Sequence, residues 1–351
     1  MKRRGFLATG GVGAIAVSTG AAGLPDGDGI RVREMGSYHV GGKSITLTGA
    51  DSRDAYVSEG RAPFRVDPNG DFETGQVYVQ YVRLVRPRSP FPLLMWHGGG
   101  LSGACFESTP DGRAGWQQRF LASGHDVYLA DGFGAGRASW QRYPEVSEAE
   151  PLFRTKKQLW ELFRIGPADS YATAPDMRRP YADIRFPVAD FEMLVKQAVP
   201  RFRTYDDSTQ AGYDALIAKV GPSVILTHSA AGPLGFAATI TAPDRVRAHV
   251  AIEPSGAPDP STVDIDRLRR IPHLIIWGDH LDADKSWGEL YSSTRRFHDA
   301  LRRAGGRSTW IDLPATGQRG NSHMIMMDGN SNQVAHLIDS WLKKHVSSVA
   351  E

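Results

Sequence analysis

The 351-residue chain has a single cysteine, Cys105. No intrachain disulfide can form, and no thiolate cluster can hold zinc. An excess of one charge is missing too: 41 Lys and Arg stand against 39 Asp and Glu, a formal charge of +2. With no polybasic run and no stripe of interleaved aromatic and basic residues, nucleic acid is not an expected partner. No segment is apolar for long enough to span a bilayer, so an integral membrane protein is not expected either. The metalloprotease pattern H-E-x-x-H is absent. The glycines of His97-Gly98-Gly99-Gly100 and Gly132-x-Gly134-x-Gly136 lack the Lys-Ser/Thr of a phosphate loop and the helix-opening context of a dinucleotide fingerprint. Neither a metal nor an organic cofactor is expected. Repeats and low-complexity tracts are also missing. What remains is an ordinary globular composition, 41% apolar and 23% charged, on a chain long enough for a large buried core.

The N-terminus has its own signature. Lys2-Arg3-Arg4-Gly5-Phe6-Leu7 resembles a twin-arginine export signal, followed by a short Gly-rich apolar stretch and small residues at Thr19-Gly20-Ala21-Ala22. Residues 1–22 are therefore expected to direct export to the periplasm or beyond and to be removed. A route that carries folded chains suits a protein without disulfides. The remainder, 23–351, is expected to be one α/β domain.

Two β-rich stretches, 36–40 and 43–48, flank Gly41-Gly42, which reads as a hairpin turn. Residues 76–82 alternate as a further strand, preceded by a turn at Asp67-Pro68-Asn69-Gly70. From Phe91 onward, strands and helices alternate. Apolar runs at 91–96, 126–130, 224–227, 246–252, 273–277 and 309–313 read as buried strands, and 116–122, 207–219, 289–304 and the final segment read as helices. Val334, Leu337, Ile338, Trp341 and Leu342 share one face of the last helix. This pattern predicts a mostly parallel sheet with helices on both faces and ligands bound at the C-terminal strand ends. Residues 138–205 do not alternate. They are too long for a loop and carry Trp140, Tyr143, Phe153, Trp160, Phe163, Tyr171, Tyr181 and Phe186, so they read as a lid inserted over those strand ends. Its aromatic content suggests an apolar or aromatic acyl or alcohol group in the substrate.

The chain is organised around Val224-Ile225-Leu226-Thr227-His228-Ser229-Ala230-Ala231-Gly232. A strand runs into a tight turn bearing one hydroxyl, and an Ala-rich helix follows. This is a variant of the G-x-S-x-G nucleophile elbow, with Thr227 and Ala231 in the glycine positions. Acyl transfer from Ser229 needs a base, an acid to orient the base, and donors for the oxyanion. His323, between the last strand and the last helix, is the candidate base. His228 precedes Ser229 on the strand, faces away from it and reads as a packing residue. Two places offer the acid: Glu253, ending the strand after the elbow, and Asp279 or Asp282, after the following strand. The Ala230 N–H and one N–H of the His97–Gly100 loop would form the oxyanion hole.

Together these segments resemble the α/β-hydrolase superfamily and, more narrowly, a group of exported bacterial serine esterases. The resemblance rests on Gly36-Ser37-Tyr38-His39-Val40-Gly41-Gly42, His97-Gly98-Gly99-Gly100-Leu101-Ser102-Gly103 and Glu107-Ser108-Thr109-Pro110-Asp111-Gly112-Arg113, and on Thr227-His228-Ser229, Val250-Ala251-Ile252-Glu253-Pro254-Ser255 and Gly320-Asn321-Ser322-His323-Met324. It implies an α/β-hydrolase fold with an inserted lid and the triad Ser229, Glu253 and His323. It also implies Gly99 as second oxyanion donor, with Gly100 next. Some relatives carry bulkier residues at these two positions. The implied activity is hydrolysis of a small-molecule carboxylic ester through an acyl-enzyme, without cofactor. A lactonase or a C–C bond hydrolase would use the same triad. A non-catalytic binding protein on this fold is disfavoured because every catalytic role has a candidate in the right chain order.

Overall fold

The computed structural model describes residues 29–138, 140–142, 147, 150–202 and 205–346. The expected export signal and Tyr143 lie outside the described residues. The strands, in chain order, are β1 (Val32–Leu47), β2 (Arg53–Ala55), β3 (Phe64–Val66), β4 (Gly70–Leu84), β5 (Leu93–Trp96), β6 (Val127–Asp131), β7 (Ser223–His228), β8 (Val246–Ile252), β9 (His273–Trp277) and β10 (Ser308–Asp312). β2 and β3 form a separate ribbon; the other eight form one sheet in the order β1-β4-β6-β5-β7-β8-β9-β10. β1, β4 and β6 pair antiparallel, and every pairing from β6 through β10 is parallel.

Period-two alternation divides the central strands between two cores. Leu93, Met95, Val127, Leu129, Leu226, Val250 and Ile276 join one core with Phe120 of the helix Trp116–Ala122 and Val334 and Ile338 of the helix Ser331–His345. Leu94, Trp96, Ile225, Ala251, Ile275 and Trp277 join the other with Leu216 of Asp206–Val220, Phe236 of Ala231–Thr241 and Phe297 of Lys285–Arg303. Burial on both faces explains why these strands read as unbroken apolar runs. Each such side chain contributes about 1.5–3 kcal/mol.

Gly41-Gly42 does not make a hairpin. Val32–Leu47 is one continuous strand paired along its length with β4, and the chain reverses only after Leu47. The two glycines do have positive φ, +70° and +84°, and so does Gly75 on the partner strand at +80°. The ribbon bends there against the helix Asp206–Val220. A Cβ on Gly41 would sit 2.8 Å from the Gly212 Cα, and one on Gly42 would sit 2.8 Å from the Thr74 carbonyl oxygen.

The segment after β6 packs on the body of the sheet. Thr155 and Gln158 form a reciprocal capping box that starts the helix Lys156–Leu162. Trp160, Phe163, Phe186 and Phe191 are buried in the same core as Met95 and Ile276, whereas Trp140 and Phe153 are exposed. These four buried aromatics attach the segment to the sheet.

Candidate active site

β7 is buried along its whole length and ends at Ser229, whose φ is +54°. A non-glycine residue held there stores about 1–3 kcal/mol of strain. The surroundings enforce it: Ser229 N–H donates to the Ile252 carbonyl at 3.0 Å, and the Ser229 carbonyl accepts from Ser255 N–H at 2.9 Å and Gly232 N–H at 2.8 Å. The small residues are required by close approach. A Cβ on Gly232 would lie 2.4 Å from the Pro254 Cβ, and one on Gly98 would lie 2.9 Å from the Ser229 Cβ. Thr227, at the first glycine position of the elbow, is buried, and its hydroxyl lies 2.9 Å from His249 Nε2.

Strand register gathers the remaining residues. Trp96 opposite Thr227 places His97-Gly98 beside His228-Ser229. His228 opposite Ile252 places Ser229 beside Glu253, and Ile252 opposite Ile276 places Glu253 beside Trp277, with Gly278 next. Glu253, like Ser229, has positive φ, +49°.

The Glu253 carboxylate is fully buried and fully used. Its Oε2 accepts from His323 Nδ1 at 2.9 Å, its Oε1 from the Gly278 N–H, and both oxygens from Arg164 Nη2 at 2.7 and 2.8 Å. Burial pushes this acid up, but Arg164 and His323 outweigh it and hold the carboxyl at about 2. With a carboxylate on Nδ1, neutral His323 carries its proton there and leaves Nε2 as an acceptor. Burial lowers the His323 pKa below its ordinary value and Arg164 lowers it further, against the pull of Glu253. The ring packs among Trp287 at 4.4 Å, His228 at 4.6 Å and Phe163 at 5.8 Å between centroids. Asp282, the alternative acid, is exposed, and Asp279 turns its carboxylate to the N–H groups of His280 and Gly320.

His228 is more than packing. It is fully buried, its Nε2–H donates to the His323 carbonyl at 2.9 Å, and its own ring lies against the His323 ring. It links the residue before Ser229 to His323. Alternation places it on the opposite face of β7, but nothing local says that the loop carrying His323 passes there.

Arg164 is the other residue that sequence reasoning missed. It lies within the inserted segment, at φ +53°, with no solvent exposure. Besides Glu253 it holds the Asp279 carbonyl through Nε at 2.8 Å and lies 4.6 Å from the Trp287 ring centroid. The segment thus grips Glu253. With His323 as the proposed base, the acid limb of kcat/KM is expected below the ordinary histidine value in the native protein. Arg164→Met removes a charge that depresses His323, so the limb should move to higher pH. A pH–rate profile of both proteins checks this. Breaking the buried pair should also cost about 3–5 kcal/mol of stability.

The His323 loop is held from several sides. Buried Asp328 accepts from Ser322 N–H at 2.9 Å, Ser322 Oγ at 2.7 Å and Asn321 Nδ2 at 2.9 Å, while burial pushes its carboxyl up to about 7. Gly320 has φ +77°, and a Cβ there would fall 1.7 Å from the Asp183 carbonyl oxygen. Gly320→Ala is expected to lose roughly 2–4 kcal/mol, from αL strain plus overpacking, measured by denaturant unfolding.

Gly99, Gly100 and Ala230 border one cavity of about 60 Å³, together with Gly98, His97 and Arg201. The two candidate donor loops therefore meet across a single space. None of the seven described inserted-segment aromatics named from the sequence lines it; Phe133, Phe202, Tyr205 and Tyr213 do. His97 Nε2 accepts from the Gly132 N–H at 3.0 Å, and its Nδ1 donates to the Gly98 carbonyl at 2.7 Å, which fixes the loop's course.

No family model matches the chain. A bacterial esterase solved at atomic resolution is 30% identical, with 92% of this chain and 98% of that one covered and a TM-score of 0.79. The chain belongs to the α/β-hydrolase superfamily. A fungal relative, the probable secreted lipase phiG of Fungal sp. (strain ATCC 74256), is 26% identical over 339 residues, covering 78% of this chain and 88% of its own. In this α/β-hydrolase, Ser229, Glu253 and the Gly98–Gly100 loop follow adjacent strands β7, β8 and β5 at the C-terminal edge of the sheet. The chain order reverses between β5 and β7, which is where open parallel sheets leave a crevice for ligands.

Proposed function

We propose that this α/β-hydrolase cleaves small-molecule carboxylic esters through an acyl-enzyme on Ser229. The observation that carries the reading is the 2.9 Å bond between His323 Nδ1 and buried Glu253, at the strand end beside the strained Ser229. His323 Nε2 takes the Ser229 hydroxyl proton as Oγ bonds to the acyl carbon. The carbonyl π electrons move to oxygen, and N–H groups of Ala230 and Gly99, with Gly100 next, donate hydrogen bonds to the oxyanion that forms. Each such donor contributes about 3–4 kcal/mol to the transition state. Collapse of the adduct expels the alcohol, protonated by His323. Water then repeats the attack on the acyl-enzyme, releasing the acid and restoring Ser229. Glu253 keeps its charge throughout and stabilises the imidazolium.

A relative named as an esterase and one named as a lipase share ester hydrolysis, which supports this reaction class. The fungal relative is named as secreted, and the paired Arg3-Arg4 motif supports a twin-arginine export route, with residues 23–351 as the mature hydrolase. Among the described residues, no helix is long and apolar enough to cross a membrane. Residues 138–205 act as a lid that also supplies Arg164. The test is a pH-stat panel of alkyl esters, aryl esters and lactones. Turnover of esters is expected. Turnover of lactones alone would replace the reading with a lactonase, and no turnover of any member would overturn it.

A further inference from the structure

A cationic feature beside the oxyanion loop has no part in the steps above. Arg201 borders the cavity that Gly98, Gly99, Gly100 and Ala230 share. Its guanidinium lies flat against Gly99: a Cβ there would sit 2.7 Å from Nη1, 2.9 Å from Cζ and 3.0 Å from Nε. Glycine at position 99 thus leaves room for the arginine as well as for a substrate carbonyl. The backbone fixes this placement. Val199 N–H donates to the Gly100 carbonyl at 3.0 Å. Arg201 and Leu152 exchange N–H to carbonyl bonds of 2.7 and 3.1 Å.

Arg154 stands two residues beyond Leu152. Its Nε is buried with no partner. Burial and the nearby Arg201 charge both hold its pKa below the ordinary arginine value. Among the described residues, neither arginine has a carboxylate within ion-pair distance; Asp206 borders the same cavity but pairs with neither. Arg201 therefore has no carboxylate partner among the described residues, and an anion beside it in the cavity would offset its charge and its lost solvation. The planar fork of arginine matches a carboxylate in two parallel bonds. The cavity, about 60 Å³, admits roughly four to six water-sized spheres, enough for such a group.

We infer that Arg201, with the charge of Arg154 reinforcing it, binds a free carboxylate carried by the ester substrate a few bonds from the reacting carbonyl. This rests on the ester-hydrolase reading. It makes half-esters of dicarboxylic acids the preferred substrate class, because one cavity borders both the oxyanion donors and the arginine.

The test compares monomethyl glutarate with dimethyl glutarate, equal in carbon skeleton but different in charge, by kcat/KM at neutral pH and low salt. A preference of about 10–100-fold for the half-ester is expected from one charge-assisted pair. Arg201→Met should bring the ratio near one, Arg201→Lys should keep part of it, and Arg154→Met should lower it less. Calorimetry of glutarate with Ser229→Ala, with and without Arg201→Met, reads the anion site without turnover, and at least tenfold weaker binding in the double variant is expected. Equal use of both esters by the native protein overturns the inference while leaving the ester reading intact. An equal loss on both esters in Arg201→Met also overturns it and makes Arg201 an oxyanion donor. Glutarate affinity that is indifferent to Arg201 does the same to the anion site. Failure to cleave any ester, with Arg201-dependent glutarate binding retained, removes the ester reading and leaves only an anion site.

Discussion

Ser229→Ala is expected to lower kcat for a good ester substrate by about 10⁵–10⁶-fold while leaving the fold intact. The loss is large because the other parts act only through the nucleophile. Without Oγ there is no proton for His323 to take and no tetrahedral adduct for Ala230 and Gly99 to stabilise. What remains is binding and the oxyanion donors acting on water. The side chain is small, and the conformation is imposed by hydrogen bonds of its backbone to Ile252, Ser255 and Gly232, so the elbow should persist. Stopped-flow and steady-state rates on an aryl ester, with a circular dichroism melt as control, measure both halves of this expectation. A residual rate within tenfold of the native protein would contradict a serine mechanism.

The second large effect is at the acid. Glu253→Gln should lower kcat about 10⁴-fold, since an amide can donate to Nδ1 and hold the imidazole in the wrong tautomer. It should also destabilise the protein by about 3–5 kcal/mol, because Arg164 would be left buried opposite a neutral group. The pairing of a catalytic and a stability loss separates this residue from Asp282, which is exposed. Asp282→Asn is therefore expected to change neither quantity measurably. Kinetics and urea unfolding of the two variants side by side give the comparison. The opposite ranking would return the acid to the strand after β8.

The strand-end residues were legible because each carries a local mark. A buried apolar run before Ser229, a glycine triplet after β5 and a carboxylate closing β8 can be read without knowing what they touch. Gly41-Gly42 shows where local marks fail. Two glycines announce positive φ, but whether the chain then reverses depends on the partner strand, here β4, thirty or more residues away. Arg164 had no mark at all. It sits in a segment without periodicity, and its partner Glu253 is 89 residues distant. His228 was read from alternation alone, which gives its face but not the loop that comes to lie on that face. The aromatics of 138–205 invited a substrate reading, but Trp160, Phe163 and Phe186 are spent on the core. Position 99 was legible as a glycine, whereas the arginine that fills its side-chain space comes from residue 201, near the end of the inserted segment.

Ser229 is the residue proposed to form the covalent intermediate. The most direct measurement is mass spectrometry of the intact protein and its peptides after reaction with an aryl alkylphosphonate, a mimic of the tetrahedral adduct. One phosphonyl group per chain, on the peptide containing Ser229 and at that residue, with ester hydrolysis lost in step with labelling, is the predicted result. Label at another residue, or a fully labelled protein that still cleaves esters, would contradict the account.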